Sequence, residues 1–196
     1  MSERRLMVVG GGQMGRALVG GILASDLLAP DQIQVVDPDP KCQAWWHQQH
    51  PGLAVGDDLA AAVATADTVL LAVKPHTISL VARQHGKLWS GKLVISIAAG
   101  ISLQQLSGWI GHGRVIRVMP NTPCLVGEGA SAYCTAAEVT DADVEEIEAM
   151  LSSVGIVVTV EEKDMDAVTA VSGSGPAYVF YLIEAMEEAA AKMGLA

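Results

Sequence analysis

The chain has 196 residues, 51% of them hydrophobic and 17% charged, with 22 Asp and Glu against 12 Lys and Arg for a net charge of −10. So apolar and weakly charged a composition excludes intrinsic disorder and can bury a sizeable core. The acidic balance, with no clustered cations, speaks against a nucleic-acid partner or an anionic membrane surface. No apolar run reaches membrane-spanning length, and residues 1–9 are not a secretory signal, because the apolar run breaks at once into Gly10-Gly11-Gly12. Cys42, Cys124 and Cys134 are irregularly spaced and describe neither a disulfide framework nor a zinc site. No metal and a reduced, cytoplasmic compartment are the expectation.

In chain order, short apolar runs alternate with segments of helical period. Residues 6–9 read as a strand and 14–24 as a helix, with Met14, Leu18 and Ile22 on one stripe. A strand follows over 33–36, then a polar helix over 41–50. Residues 68–73 form a continuous apolar strand, the kind that helices cover on both faces of a parallel sheet. A helix over 77–85, a strand over 93–97 and a helix capped by Ser102 and running to about Trp109 come next. Strands are expected over 115–119 and 130–133, a helix over 141–152 capped by Thr140 or Asp141, and a strand-like run over 156–160.

This alternation predicts an α/β fold: a Rossmann-type, doubly wound, mostly parallel sheet. Ser172-Gly173-Ser174-Gly175-Pro176 then breaks the pattern, and one long helix runs over 177–193, closed by Gly194. Its broad apolar face (Tyr178, Tyr181, Leu182, Ala185, Met186, Ala189) needs a surface to pack on. A boundary near Glu161–Asp164 separates a domain over 1–162 from a helical segment over 163–196, too short to close a core alone.

Gly10-Gly11-Gly12-Gln13-Met14-Gly15 follows the first strand and opens the first helix with Gly-x-Gly-x-x-Gly spacing. Gly10 permits the tight turn, Gly12 lets a pyrophosphate approach the backbone, and Gly15 lets the helix pack on the sheet. The anion then sits on free N–H groups at the helix N-terminus. Asp37 ends the second strand, about 20 residues further on, where a dinucleotide fold places the acid that accepts from a ribose 2′-hydroxyl. That acid favours NADH; Lys41 offsets part of its repulsion of a 2′-phosphate, and Asp37-Pro38-Asp39-Pro40 is also strong turn chemistry.

Ala72-Val73-Lys74-Pro75-His76 lies at the carboxyl edge of the sheet, where ligands bind in such folds. Lys74 either lines the cofactor site or is a solvated loop lysine before a helix-starting proline. Ser96-Ile97-Ala98-Ala99-Gly100 suits close passage of a nicotinamide ribose, or plain packing. Arg117-Val118-Met119-Pro120-Asn121-Thr122-Pro123 ends a strand in a stiff polar corner, ligand-facing or structural. In Ser172–Pro176 the glycines expose N–H groups at a helix start: a carboxylate cradle without a cation, or a linker. Glu161 and Asp164 either hold a protonated nitrogen or are surface acids. His47 and His50 lack a third ligand and read as surface residues, and Trp45-Trp46 packs a helix edge. No Ser-His-Asp set can be assembled.

Together these motifs resemble the pyrroline-5-carboxylate reductase family. The resemblance is carried by Gly10–Ala17, Ala72–His76, Ser96–Gly100, Arg117–Gly129 and above all Asp166–Phe180. It implies reduction of 1-pyrroline-5-carboxylate, a cyclic imino acid, to L-proline with NADH or NADPH, the last step of proline biosynthesis. It implies a homo-oligomer joined through the C-terminal helix, with residues 163–196 as part of a substrate and dimerisation domain. By position, the cofactor would be held by Gly10, Gly12, Gln13, Met14, Gly15, Asp37, Ala72, Val73, Lys74, Pro75, Ala98, Ala99 and Gly100. The substrate would meet Asn121, Glu161, Ser172, Gly173, Ser174 and Gly175. No side chain is singled out for the chemistry, which proceeds by positioning a hydride donor and acceptor.

Two departures from the family pattern stand out. Several relatives carry a hydroxyl, amide or basic residue in place of Asp37, to receive NADPH. Family members also continue past Gly194-Leu195 into helices that form the dimer core and carry a Ser-Pro-Gly-Gly-Thr-like segment contacting the substrate, so the second domain is expected to be partial. Two other readings stand beside this one: a dinucleotide-binding module without turnover, and a related dehydrogenase acting on another imine or a β-hydroxy acid. The pairing of Met119–Pro123 with Ser172–Pro176 speaks against the latter.

Overall fold

Successive strand residues face opposite ways, and in the first strand both directions are buried. Leu6 and Val8 enter one apolar cluster, Met7 and Val9 another. That demands a helical layer on each side of the sheet. The computed structural model, which describes residues 5–195, supplies both. Residues 1–4, which open the stretch read as no secretory signal, and Ala196 lie outside the described residues.

The elements run β1 (Leu6–Val9), α1 (Gln13–Ala24), β2 (Ile33–Val36), α2 (Pro40–Gln49), β3 (Ala54–Gly56), α3 (Leu59–Thr65), β4 (Thr68–Leu71), α4 (Pro75–Gln84), β5 (Leu93–Ser96), α5 (Leu103–Ile110), β6 (Val115–Met119), β7 (Gly129–Thr135), α6 (Asp141–Ser152) and β8 (Gly155–Thr159). Then come α7 (Met165–Val168), a π-helical turn (Thr169–Gly173) and α8 (Gly175–Lys192). The sheet order is β3-β2-β1-β4-β5-β6-β7-β8. All neighbours pair in parallel except β6 and β7, which are antiparallel with Arg117 opposite Cys134. Helices α1, α2 and α6 cover one face through Leu18, Ile22, Trp46 and Leu151. Helices α3, α4 and α5 cover the other through Val63, Ile78, Leu106 and Ile110.

The doubly wound, mostly parallel sheet read from the sequence is therefore the fold. β3, α3 and, beyond the sheet, α7 with its π-helical turn were not foreseen as elements. The first has three residues without apolar alternation, and the second, Leu-Ala-Ala-Ala-Val-Ala-Thr, has no helical stripe to read. β4 stops at Leu71, two residues before the end of the apolar run. The Ala72 N–H still bonds Val9 O at 2.8 Å, after which the chain leaves the sheet and Lys74 caps α4. β7 is longer than expected, because its antiparallel partner β6 holds residues through Thr135. α8 begins at Gly175 rather than Ala177, with Pro176 inside its first turn.

Caps set the helix starts. Ser102 accepts from Gln105 N in a capping box, as expected for α5. Thr140 does the same for α6, and its third residue, Asp143, is fully buried. Arg114 grips Asp143 in two bonds, from Nε at 2.9 Å and Nη2 at 2.6 Å. The guanidinium outweighs burial and holds this carboxyl at about 2, below its ordinary 3.8.

Beyond β8 the packing changes character. Met165 is buried against the sheet, but Tyr178, Phe180, Tyr181, Leu182 and Met186 of α8 are all exposed. Among the described residues no helix is long and apolar enough to cross a membrane.

Candidate active site

The strand order reverses between β1 and β4, and the carboxyl ends of the strands flanking that reversal carry the site. Gly10 leaves β1 with φ +98°, a conformation L side chains rarely adopt. Its N–H bonds Val36 O at 2.8 Å, and a Cβ there would lie 2.8 Å from the Ala72 carbonyl oxygen. The turn is thereby pressed onto the Ala72–Val73 loop after β4. Gly15 packs equally close, its missing Cβ 2.6 Å from Gly10 O. Gly12 has no such neighbour: a Cβ there would meet open space. The first helical bond of α1 runs from Arg16 N to Gly12 O at 2.9 Å, so the amides of Gln13 and Met14 open the helix ahead of it.

Gly11 is the anchor of this corner. Its carbonyl accepts from Trp46 Nε1 at 2.9 Å, Cys42 Sγ at 3.1 Å and Arg16 Nε at 3.2 Å. Trp46 is fully buried, so it does pack beneath α2, and its indole N–H finds the partner that burial requires. Burial, reinforced by Asp37, raises the Cys42 thiol above its ordinary range. The Arg16 guanidinium also stacks over Trp45, 3.9 Å from the ring centre.

Asp37 serves the same corner. Oδ2 accepts the Gly11 N–H at 2.8 Å and Oδ1 the Asp39 N–H at 2.9 Å. Each carboxylate oxygen has a second lone pair, so the group still accepts from a vicinal diol. Both readings of Asp37 given by the sequence, turn residue and ribose acceptor, are chemically available in one geometry. Lys41, whose backbone N–H bonds Asp39 Oδ1, lies in the first turn of α2.

The remaining cofactor-side positions fall along the same edge. Lys74 is exposed before α4. After β5, Ala98 is buried with its N–H near Ser96 Oγ at 3.3 Å, and Gly100 turns the chain at φ +74°. The residues present fit a dinucleotide: an anion-ready helix start with an open glycine, an acid at β2, and small residues after β4 and β5.

Asn121 and the Ser172 loop also converge. Asn121 stands where a cap would, before the turn Thr122–Val126, but its side chain makes no cap bond. Instead Oδ1 accepts the Ala130 N–H at 2.9 Å and Nδ2 donates to Ser172 Oγ at 3.3 Å. Gly173 lies directly on Met119, whose methyl group would collide with any Cβ placed there. The loop itself is a π-helical turn, with Ser174 N bonding Thr169 O at 2.9 Å. Such turns are rare and concentrate at functional positions. Here the turn displaces one residue from the helical ladder, and Tyr178 OH bonds the Ala170 carbonyl at 3.1 Å.

Glu161 does not join this cluster by any direct bond. It is exposed and pairs with Lys163 at 2.7 Å. Its neighbour Glu162, not singled out by the sequence, bonds Leu103 N and faces Arg117. The missed signal was Arg117 itself, an arginine inside an apolar strand, which must find carboxylates once buried. Opposite it on β7, burial pushes the Cys134 thiol up to about 11.

Comparison with known proteins bears on the family and the fold. Residues 5–100 match the family model for NADP oxidoreductase, coenzyme F420-dependent, and residues 162–196 match that for pyrroline-5-carboxylate reductase dimerisation. The chain is 42% identical to pyrroline-5-carboxylate reductase from Pseudomonas aeruginosa, over 100% of its own length and 72% of that protein's. It belongs to the pyrroline-5-carboxylate reductase family.

The Escherichia coli member is 38% identical over 98% of this chain and 72% of its own. The crystal structure of Plasmodium falciparum pyrroline carboxylate reductase with NADP bound superposes with a TM-score of 0.87 at 33% identity, covering all of this chain and 72% of that one. A prephenate dehydrogenase from Aquifex aeolicus shares the fold at 17% identity and a TM-score of 0.73. The family resemblance read from the motifs is borne out.

Proposed function

We propose that this chain reduces 1-pyrroline-5-carboxylate to L-proline with a reduced nicotinamide nucleotide. Membership of the reductase family supports the reaction. The convergence of the Gly10–Gly15 corner and the Asn121–Ser172 contact on one sheet edge is the observation that carries the reading to these residues.

A reduced nicotinamide nucleotide held there would supply a hydride to the carbon of the protonated imine, whose C=N electron pair would become the amine lone pair. The chain's own residues hold and aim the partners. Gln13 and Met14 amides at the start of α1 receive the diphosphate, with Gly12 leaving room for it. Asp37 takes the adenosine ribose, which favours NADH over NADPH. Ala72–Pro75 and Ala98–Gly100 flank the nicotinamide side. The amides opening α8 at Ser174–Gly175 take the substrate carboxylate, and Asn121 sets the loop that presents them. The cyclic imine is itself a ready acceptor once protonated, so orientation supplies much of the rate and no side chain is required as nucleophile.

The division at 162/163, with catalysis and dimerisation shared across it, is part of the same reading. So is self-association through α8, supported by the dimerisation-family match and the exposed apolar residues of that helix. Three buried, unpaired cysteines fit a reducing, cytoplasmic setting.

The deciding assay follows oxidation of NADH and NADPH with pyrroline-5-carboxylate, alongside a titration of nucleotide binding. Oxidation dependent on the imine is the expected result. Binding without oxidation favours a module that does not turn over, and oxidation only with other imines or β-hydroxy acids favours a related dehydrogenase. Gly175→Val tests the carboxylate site, where a Cβ meets no neighbour, with a thermal melt run beside it to confirm the fold. The KM for the imine should rise about tenfold or more, about 1.4 kcal/mol of lost binding, at unchanged nucleotide affinity. An unchanged KM would remove Gly175 from the site.

A further inference from the structure

One carboxylate joins the nucleotide half of this edge to the substrate half. Glu162 lies in the short turn Glu162–Asp164 between β8 and α7. Its Oε1 accepts the Leu103 N–H at 2.5 Å and stands 3.6 Å from Nη1 of Arg117. Leu103 opens α5 directly after the turn at Gly100, and a helix N-terminus favours negative charge. Arg117 is 5% exposed on β6, and its Nη2 reaches Asp166 Oδ1 at 3.2 Å.

Asp166 belongs to α7, which runs without interruption into the π-helical turn and Ser172–Gly175. A buried guanidinium is costly unless paired, and both its carboxylate partners come from this junction. Met165 adds apolar adhesion, which is non-directional. The heading of α7 is thus set jointly by this apolar contact and the charged bonds to Arg117, while Asn121 and Met119 seat the Ser172 loop that follows.

We propose that Glu162 is a positioning residue. By holding the Leu103 amide and Arg117 together it fixes the Ala98–Gly100 turn relative to the Ser172–Gly175 loop, and it transmits nucleotide binding at the first to the second. The proposal rests on the assignment of those two segments to nucleotide and substrate.

Amide hydrogen exchange on the whole chain, with and without NADH, tests it in Glu162→Gln and Glu162→Ala. The Glu162 side chain is 37% exposed, so neither change opens a core cavity. In the wild type NADH slows exchange over both 98–105 and 169–175. Glutamine keeps an oxygen for Leu103 but offers Arg117 no charge, so exchange over 165–175 rises about tenfold while 101–106 holds. Alanine raises both, and NADH then protects 98–105 alone. A general loss of stability cannot produce that split.

Unchanged exchange in both segments of Glu162→Ala, or NADH protection of 169–175 surviving there, overturns the proposal. Absence of NADH protection in the wild type would instead sink the nucleotide assignment, and the ligand-free split between the glutamine and alanine variants would still decide the tie.

Discussion

Three donors meet the Gly11 carbonyl and two acceptors of one carboxylate hold the amides beside it, so the glycine corner is built without help from any ligand. Its glycines differ in what they do. Gly10 is needed by the backbone: at φ +98° and 2.8 Å from Ala72 O, Gly10→Ala should cost about 1–3 kcal/mol in urea unfolding. Gly12 is not needed by the backbone: at φ −71° with open space around it, Gly12→Val should leave the melting temperature nearly unchanged yet weaken NADH binding about tenfold or more. Calorimetric titration and thermal melts separate the two. Asp37 holds two amides of the turn and, in the proposed function, also meets the ribose. Asp37→Asn removes the charge facing a 2′-phosphate, so the kcat/KM ratio of NADPH to NADH should rise about tenfold. It also leaves one of the two amide bonds unmade, at about 1 kcal/mol of stability. An unchanged ratio would mean the ribose does not sit there.

At the scale of elements, α6 depends on a carboxylate that belongs to its cap and to the sheet at once. Asp143 is buried, accepts both Arg114 bonds and closes the Thr140 capping box. Its folded-state pKa is depressed, so its contribution is fully present above pH about 4 and is lost as pH falls toward 2. The gap from about 3.8 to about 2 corresponds to about 2 kcal/mol. Asp143→Asn should be destabilised by about that amount at pH 7, with the difference constant down to pH 4 and shrinking below it. Urea titrations at stepped pH measure this; a difference that widens on acidification contradicts the pairing. The Thr140 cap was legible, because Thr followed by an acidic helix start is a local signal. The Arg114 partner was not, because it stands just before β6, 29 residues away in sequence.

At the scale of the molecule, α8 leaves the sheet with Tyr178, Phe180, Tyr181, Leu182 and Met186 all exposed, and clustered exposed apolar side chains mark an interaction surface. Sedimentation should find a dimer or higher species, and Phe180→Asp should shift it toward monomer; a wild-type chain monomeric at every concentration would refute the interface. What the sequence determined alone was whatever local periodicity and glycine chemistry encode. That covers the βα alternation, the glycine turn at Gly10–Gly15, the acid at Asp37 and the apolar face of α8. Only the tertiary structure decided which segments share an edge. The contact of Asn121 with Ser172, the seating of Gly173 on Met119, and the tie of Glu162 to Arg117 and Leu103 join residues about 50 positions apart. β3 and α3 stayed hidden for the converse reason: their residues carry no periodic signal, and they form because the neighbouring strand and helices leave a place for them. Chain proximity fixes how a segment folds, but partners distant in sequence are chosen by burial and charge, which act only once the sheet has closed.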